Sequence, residues 1–240
     1  MEFSSIPNQP IRRKKLYEEV ASRLESMMLS GALNPGDTLP PERELMDTFQ
    51  VGRSSIREAL FSLQKMGLVV IRNGERAYVT RPSADALVGE LSGSVRHLLS
   101  TPEGVRDFQQ ARTMHEISLV RYAAQNATDA DVAALRKALQ ANREALGNEA
   151  EFTRTDVEFH LALAKIPNNP IFLALHTAMA RWLEEQRATS LRSEGAEHAA
   201  FDAHSKIFAA IAAHDADAAE AAMQGHLREV ESHYWAAKRA

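Results

Sequence analysis

The chain is 240 residues long, enough for two domains of ordinary size or one large one. It contains no cysteine, which excludes disulfides, thiolate zinc sites and cysteine nucleophiles and suits a cytoplasmic protein. It has no run of roughly 18 apolar residues, so no membrane-spanning helix is expected, and polar Met1–Pro10 lacks the apolar core of a signal peptide.

A net charge of −4 conceals a division along the chain. Met1–Arg81 carries 12 basic and 10 acidic residues, a balance of +2, whereas Pro82–Ala240 carries 16 and 22, a balance of −6. The acidic total therefore does not count against a local basic footprint for nucleic acid. All nine histidines lie beyond residue 96, so the two parts also differ in chemistry.

Met1–Pro10 reads as a flexible arm, followed by Arg12-Arg13-Lys14-Lys15, either a phosphate contact or a solvated helix start. Leu16, Val20, Leu24, Met27 and Met28 share one helical face, ended by Gly31 and then Asn34-Pro35-Gly36. Pro40-Pro41 opens the next helix, where proline is tolerated in the first turn. The segment Leu39–Leu63 reads as two short helices broken at Gln50-Val51-Gly52. In the second, Ile56, Leu60 and Leu63 form an apolar stripe, which leaves Arg53, Ser54 and Arg57 facing outward near the helix start. A helix-turn-helix inserts that end of its second helix into the DNA major groove, where arginine can bridge guanine O6 and N7. Two short β runs follow around Asn73-Gly74, a hairpin turn signal, so the whole reads as a winged helix. The plain alternative is a pair of packed helices with two solvated arginines.

Arg81-Pro82-Ser83 marks a linker. Beyond it the periodicity gives helices over 84–99, 103–126, 129–147, 149–165, 170–188, 197–213 and 216–238. The expected fold is thus mostly α: a winged helix-turn-helix with a small β hairpin over 11–81, then an all-helical bundle over 82–240.

Within that bundle Asp156 and His160 are four residues apart on one helix, on the face that carries Phe152, Phe159 and Leu163. A carboxylate on an apolar stripe is costly unless something pairs with it. His204 sits among Phe201, Ile207, Phe208 and Ile211, and His226 lies between Met223 and Leu227. The turn near Asp215 is 11 residues from each of those two histidines, so an antiparallel hairpin would bring them level. One inward Asp and three inward His suit Zn²⁺ or another divalent transition metal such as Ni²⁺ or Mn²⁺. The alternative is a set of hydrogen-bonded core histidines. His176, on the side of Phe172, Leu175 and Met179, could line a pocket, and Arg112 is a candidate partner for a ligand carboxylate, or else a surface arginine.

GDTLPPERELMDTFQVGRSSIREAL, with MGLVVIRNGERAYV after it, resembles the winged helix of the GntR superfamily of bacterial transcription regulators. The helical part resembles the ligand domain (FCD) of its fatty-acid-regulator subfamily, through R-x-x-x-E at Arg112–Glu116, D-x-x-x-H at Asp156–His160, His204 and His226. Together the resemblances run from Lys15 to near the end of the chain. They imply a homodimeric, cytoplasmic, DNA-binding regulator, in which Arg43, Arg53, Ser54, Ser55 and Arg57 contact operator DNA and Asn73 and Gly74 form a wing tip in the minor groove. They also imply that Asp156, His160, His204 and His226 hold the metal, and that a small carboxylate-bearing effector, sialic acid or a related sugar acid or organic acid, binds there and releases DNA. Two residues depart from the pattern: Gly52 where the family often has Ser or Thr, and Arg76 where the wing usually has a second glycine. The rival readings are a metal-dependent hydrolase, with Asp and three His activating water, and a DNA-binding protein whose metal is purely structural.

Overall fold

The computed structural model describes residues 15–72 and 76–239, apart from the side chain of Leu87. The proposed arm Met1–Pro10, most of the basic run (Arg12, Arg13 and Lys14) and the wing-tip residues Asn73 and Gly74 lie outside the described residues. The chain divides into two compact units, Met1–Leu87 and Val88–Ala240.

The first unit contains α1 (Leu16–Leu29), α2 (Glu42–Phe49), α3 (Arg53–Lys65), β1 (Val69–Val70) and β2 (Tyr78–Val79). Val20, Ala21 and Leu24 are the buried positions of α1, whereas Leu16 and Met27 are exposed. The buried face is thus narrower than the sequence pattern suggests, because a short helix on one side of a small core covers only one stripe. Gln50 takes the left-handed conformation (φ 54°) and closes α2, after which Gly52 caps α3 with its backbone alone. The hairpin pairs Val69 with Val79 and Val70 with Tyr78, and Tyr78 also bridges to Thr38, which ties the wing to the segment before α2. Leu39, Leu45, Ile56, Leu63, Val69 and Val79 join α1 in one hydrophobic core drawn entirely from this unit.

Helix α4 (Ala84–Gly89) spans the boundary between the units. The second unit continues with α5 (Ser92–Leu98), α6 (Pro102–Asn126), α7 (Asp129–Glu144), α8 (Glu149–Lys165), α9 (Pro170–Trp182), α10 (Glu184–Leu191), α11 (Ala196–Ala212) and α12 (Ala216–Ala237). Side-chain caps start five of these helices, from Thr101, Thr128, Asn148, Asn169 and Asp215, each accepting from a backbone N–H of the first turn.

Two expected helices are each divided. The span 84–99 breaks at Glu90–Leu91, between Gly89 and Gly93, where two glycines weaken helix by about 1 kcal/mol each. The span 170–188 breaks at Leu183, which has no proline or glycine beside it. Tertiary packing makes that break: Leu183 is 2 % exposed, and the turn it forms directs Gln186, Arg187 and Ser190 of α10 into the interior.

The main core of the bundle gathers Val120 of α6, Leu135 of α7, Phe159 and Leu163 of α8, Ile207 and Ile211 of α11, and Met223 and Leu227 of α12. The polar residues described next sit beside this core.

Candidate metal centre and nucleic-acid interface

Asp156 and His160 project from the inner face of α8, one turn apart, while His204 comes from α11 and His226 from α12. Asp215 caps α12 after the tight turn at His214 (φ 57°), and the helices on either side bring the His204 and His226 rings to 4.8 Å. The rings of His160 and His226 are 5.4 Å apart and those of His160 and His204 5.1 Å. One ligand atom from each of the four residues lies within 4.8 Å of the others. None of the four is more than 4 % exposed.

Surrounding groups hold this cluster from behind. Glu116 Oε2 lies 2.5 Å from His160 Nδ1, and Glu116 Oε1 accepts from Arg112 Nε at 2.6 Å. Asn142 Oδ1 lies 2.9 Å from His204 Nδ1. Arg187 Nε stands 3.0 Å from Asp156 Oδ2. His204, with its Nδ1 engaged by Asn142, keeps a buried Nε2 that has no hydrogen-bond partner among the described residues and lies 3.5 Å from Asp156 Oδ1, and neither ring nitrogen of His160 has such a partner. A buried nitrogen without a partner is costly, and a metal ion is the partner that neutral imidazoles and a carboxylate jointly suit. The donor set therefore fits a borderline divalent ion.

Burial also sets the charge state. Desolvation, reinforced by the neighbouring imidazoles, holds the His204 and His226 pKa values well below the ordinary range, so both rings are neutral and their lone pairs available. Burial acts to raise Glu116, but His160 and Arg112 outweigh it and keep this carboxyl well below its usual value. The interior thus holds two carboxylates, Asp156 and Glu116, opposite two guanidiniums, Arg112 and Arg187.

Arg112 and the four ligand candidates named from the sequence therefore share one polar interior. Sequence reasoning missed Asn142 and Arg187, although each left a trace. Asn142 falls seven residues after buried Leu135 on one face of α7, and Arg187 falls midway between buried Leu183 and Leu191. A polar residue on an apolar stripe was the available signal.

In the first unit Arg53 and Arg57 open α3 with exposed side chains, and Arg43, Ser54 and partly buried Ser55 lie on the same exposed helix starts. Glu42 faces both arginines, 3.8 Å from Arg53 Nε and 3.7 Å from Arg57 Nε.

A winged helix presenting arginines at the start of its second helix, carried on one chain with a helical domain that encloses a polar interior, defines a DNA-binding transcription regulator with an effector domain. Comparison with known proteins agrees. Residues 16–79 match the family described as bacterial regulatory proteins, gntR family, and residues 107–229 match the FCD domain. The chain is 50 % identical to the HTH-type transcriptional repressor NanR of Citrobacter rodentium, over 94 % of this chain and 88 % of that protein. It is 48 % identical to the repressor of the same name from Escherichia coli (strain K12), over 94 % and 87 % of the two chains. Among solved structures it is similar to a GntR protein of Streptococcus agalactiae, with a TM-score of 0.62 and 27 % identity over 90 % of this chain and 99 % of that one. The chain belongs to the GntR family of bacterial transcription regulators, in the branch with an FCD domain. It is a regulator, not an enzyme, which removes the hydrolase reading. No helix among the described residues is long and apolar enough to cross a membrane.

Proposed function

We propose that this regulator is a repressor that requires a metal ion and leaves its operator when a small acid binds inside the FCD domain. The observation that carries this reading is the buried cluster of Asp156, His160, His204 and His226, with ligand atoms within 4.8 Å of one another. These residues would hold Zn²⁺, or another divalent ion such as Ni²⁺ or Mn²⁺. The ion, when bound, supplies a Lewis-acidic position for an oxygen ligand.

Charge favours an acidic effector. The two interior guanidiniums match the two carboxylates in number, so a divalent ion adds positive charge. An anion restores the balance. Arg112 and Arg187, whose planar forks match a carboxylate, would orient it. The segments RPSAD, GELSG, SLVRYAA and DVEFH resemble those of repressors of sialic-acid catabolism, so sialic acid is the first candidate, with other sugar acids and organic acids after it.

On the DNA side, Arg53 and Arg57 read bases, while Arg43, Ser54, Ser55 and the basic run ending at Lys15 engage phosphates. Asn73 and Gly74 at the wing tip enter the minor groove. One helix-turn-helix covers only a few base pairs, so the protein acts in the bacterial cytoplasm as a symmetric dimer on a pseudo-palindrome.

An acid can release DNA only through its differential affinity for the DNA-bound and free arrangements, a coupling of about 1–3 kcal/mol. Operator affinity of the wild type and His204→Ala, each with and without sialic acid, tests the reading. His204→Ala is expected to retain basal DNA binding, since the winged-helix core lies wholly within the first unit, and to lose the response. Equal effector sensitivity in both proteins would remove the metal centre from the mechanism.

A further inference from the structure

We propose that the groove between α8 and the α9–α10 pair is the outer half of the effector site, with His176 on its floor reading a hydroxyl or amide of the acid. This inference rests on the reading that an acid binds at the cluster.

The groove encloses about 480 Å³, and Val157, Leu161, Ala180, His176 and Arg187 are among its walls. Two of these connect it with the interior. Arg187 contacts Asp156 at 3.0 Å, and the ring of His176 lies parallel to that of His160 at 6.4 Å. A carboxylate that reaches Arg187 and the cluster would therefore leave the rest of its molecule in the groove.

His176 is 4 % exposed, yet neither of its ring nitrogens has a hydrogen-bond partner among the described residues. A buried polar group left in that state is uncommon and costly, so it calls for a partner. The ring is also held in place, because His115 stacks on it at 6.0 Å, continuing the row that begins at His160. A neutral imidazole offers one N–H donor and one acceptor nitrogen. A hydroxyl or amide, which both donates and accepts, is the matching chemistry.

The remaining walls narrow the class of ligand. Val157, Leu161 and Ala180 give the groove an apolar strip, while its charged rim holds Arg154, paired with Glu151 and Glu158, together with the exposed Arg181 and Glu184. The expected ligand is a carboxylic acid that carries a hydroxyl or acylamino group and a small apolar substituent, larger than a bare two-carbon acid.

Calorimetry on the zinc-loaded full chain, with sialic acid and with acetate as the bare carboxylate, tests this. Zinc and operator affinities are measured alongside. Two variants are used: His176→Leu, which keeps bulk but removes both polar atoms, and Ala180→Trp, which fills the groove without touching the cluster. His176→Leu is expected to weaken sialic acid about ten- to a hundredfold. Ala180→Trp is expected to weaken it at least tenfold, with acetate, zinc and operator binding unchanged in both variants. Sialic acid affinity that survives Ala180→Trp overturns the groove assignment while leaving the metal-centred reading intact. Equal losses for acetate and sialic acid in His176→Leu overturn the discriminating role of His176. A wild type that binds neither acid removes the effector reading and this inference together.

Discussion

The amide oxygen of Asn142 lies 2.9 Å from Nδ1 of His204, and the nitrogen of the same amide donates to Thr155 Oγ1 at 3.0 Å. Thr155 spends its one hydroxyl proton on the backbone carbonyl of Glu151, 2.9 Å away, so toward Asn142 it can only accept. That fixes which way the amide faces. An oxygen toward His204 requires Nδ1 to carry the imidazole proton, which leaves the Nε2 lone pair directed at the cluster. All three side chains are buried, so water cannot relax the arrangement.

Asn142→Leu is therefore expected to weaken zinc binding by about 10–100-fold, as loss of an outer partner of a metal-bound histidine usually does. Competition with a chromophoric chelator reads the affinity, and nitrogen NMR of His204 in the metal-free chain reads the tautomer. A His204 that keeps its proton on Nδ1 in Asn142→Leu, with unchanged zinc affinity, would sink the assignment.

Glu42 counters the charge of both Arg53 and Arg57, and all three side chains are substantially exposed. Exposed pairs of this kind contribute about 0–1 kcal/mol to stability, so Glu42→Gln should barely move the melting temperature. Its effect belongs to DNA binding. Freeing two guanidiniums should raise affinity for unrelated DNA and steepen its salt dependence, lowering the preference for operator. Arg53→Ala should instead cost about 1–3 kcal/mol on operator and blur sequence preference. Fluorescence anisotropy across a salt series checks both, and non-specific affinity unchanged in Glu42→Gln would show that the pairing has no such role.

Burial lowers the pKa of His176 to about 4. Below its ordinary pKa of about 6.5 the unfolded chain takes up a proton that the folded chain refuses. The stability associated with the neutral ring is thus complete above that pH and is lost progressively as pH falls toward 4. At pH 5 the loss is about 2 kcal/mol. In urea denaturation of the metal-free chain between pH 7.5 and pH 5, His176→Leu should show a shallower decline than the wild type. Parallel declines would mean that the ring accepts a proton without unfolding.

Much of this molecule is legible in one dimension wherever the governing physics is local. Turn chemistry at Gln50-Val51-Gly52, the Thr128, Asn148 and Asp215 caps, and the helical spacing of Ile56, Leu60 and Leu63 act within a few residues, so composition and spacing reveal them. Asp156 and His160 were readable because i and i+4 share a helix face, and His204 with His226 because equal distances from one turn align two antiparallel helices.

Only the folded chain decided the rest. Nothing near Leu183 in the sequence separates α9 from α10; the break exists because a buried leucine and the inward turn of Arg187 outweigh helix continuity. Asn142 meets His204 across 62 residues and Glu42 meets Arg53 across a helix junction, pairings that no periodicity encodes. Residue order alone sets which faces are apolar and which polar side chains must be buried with them. Tertiary packing decided which partner each buried charge received, because a desolvated group is satisfied only by whatever the fold places within hydrogen-bond reach.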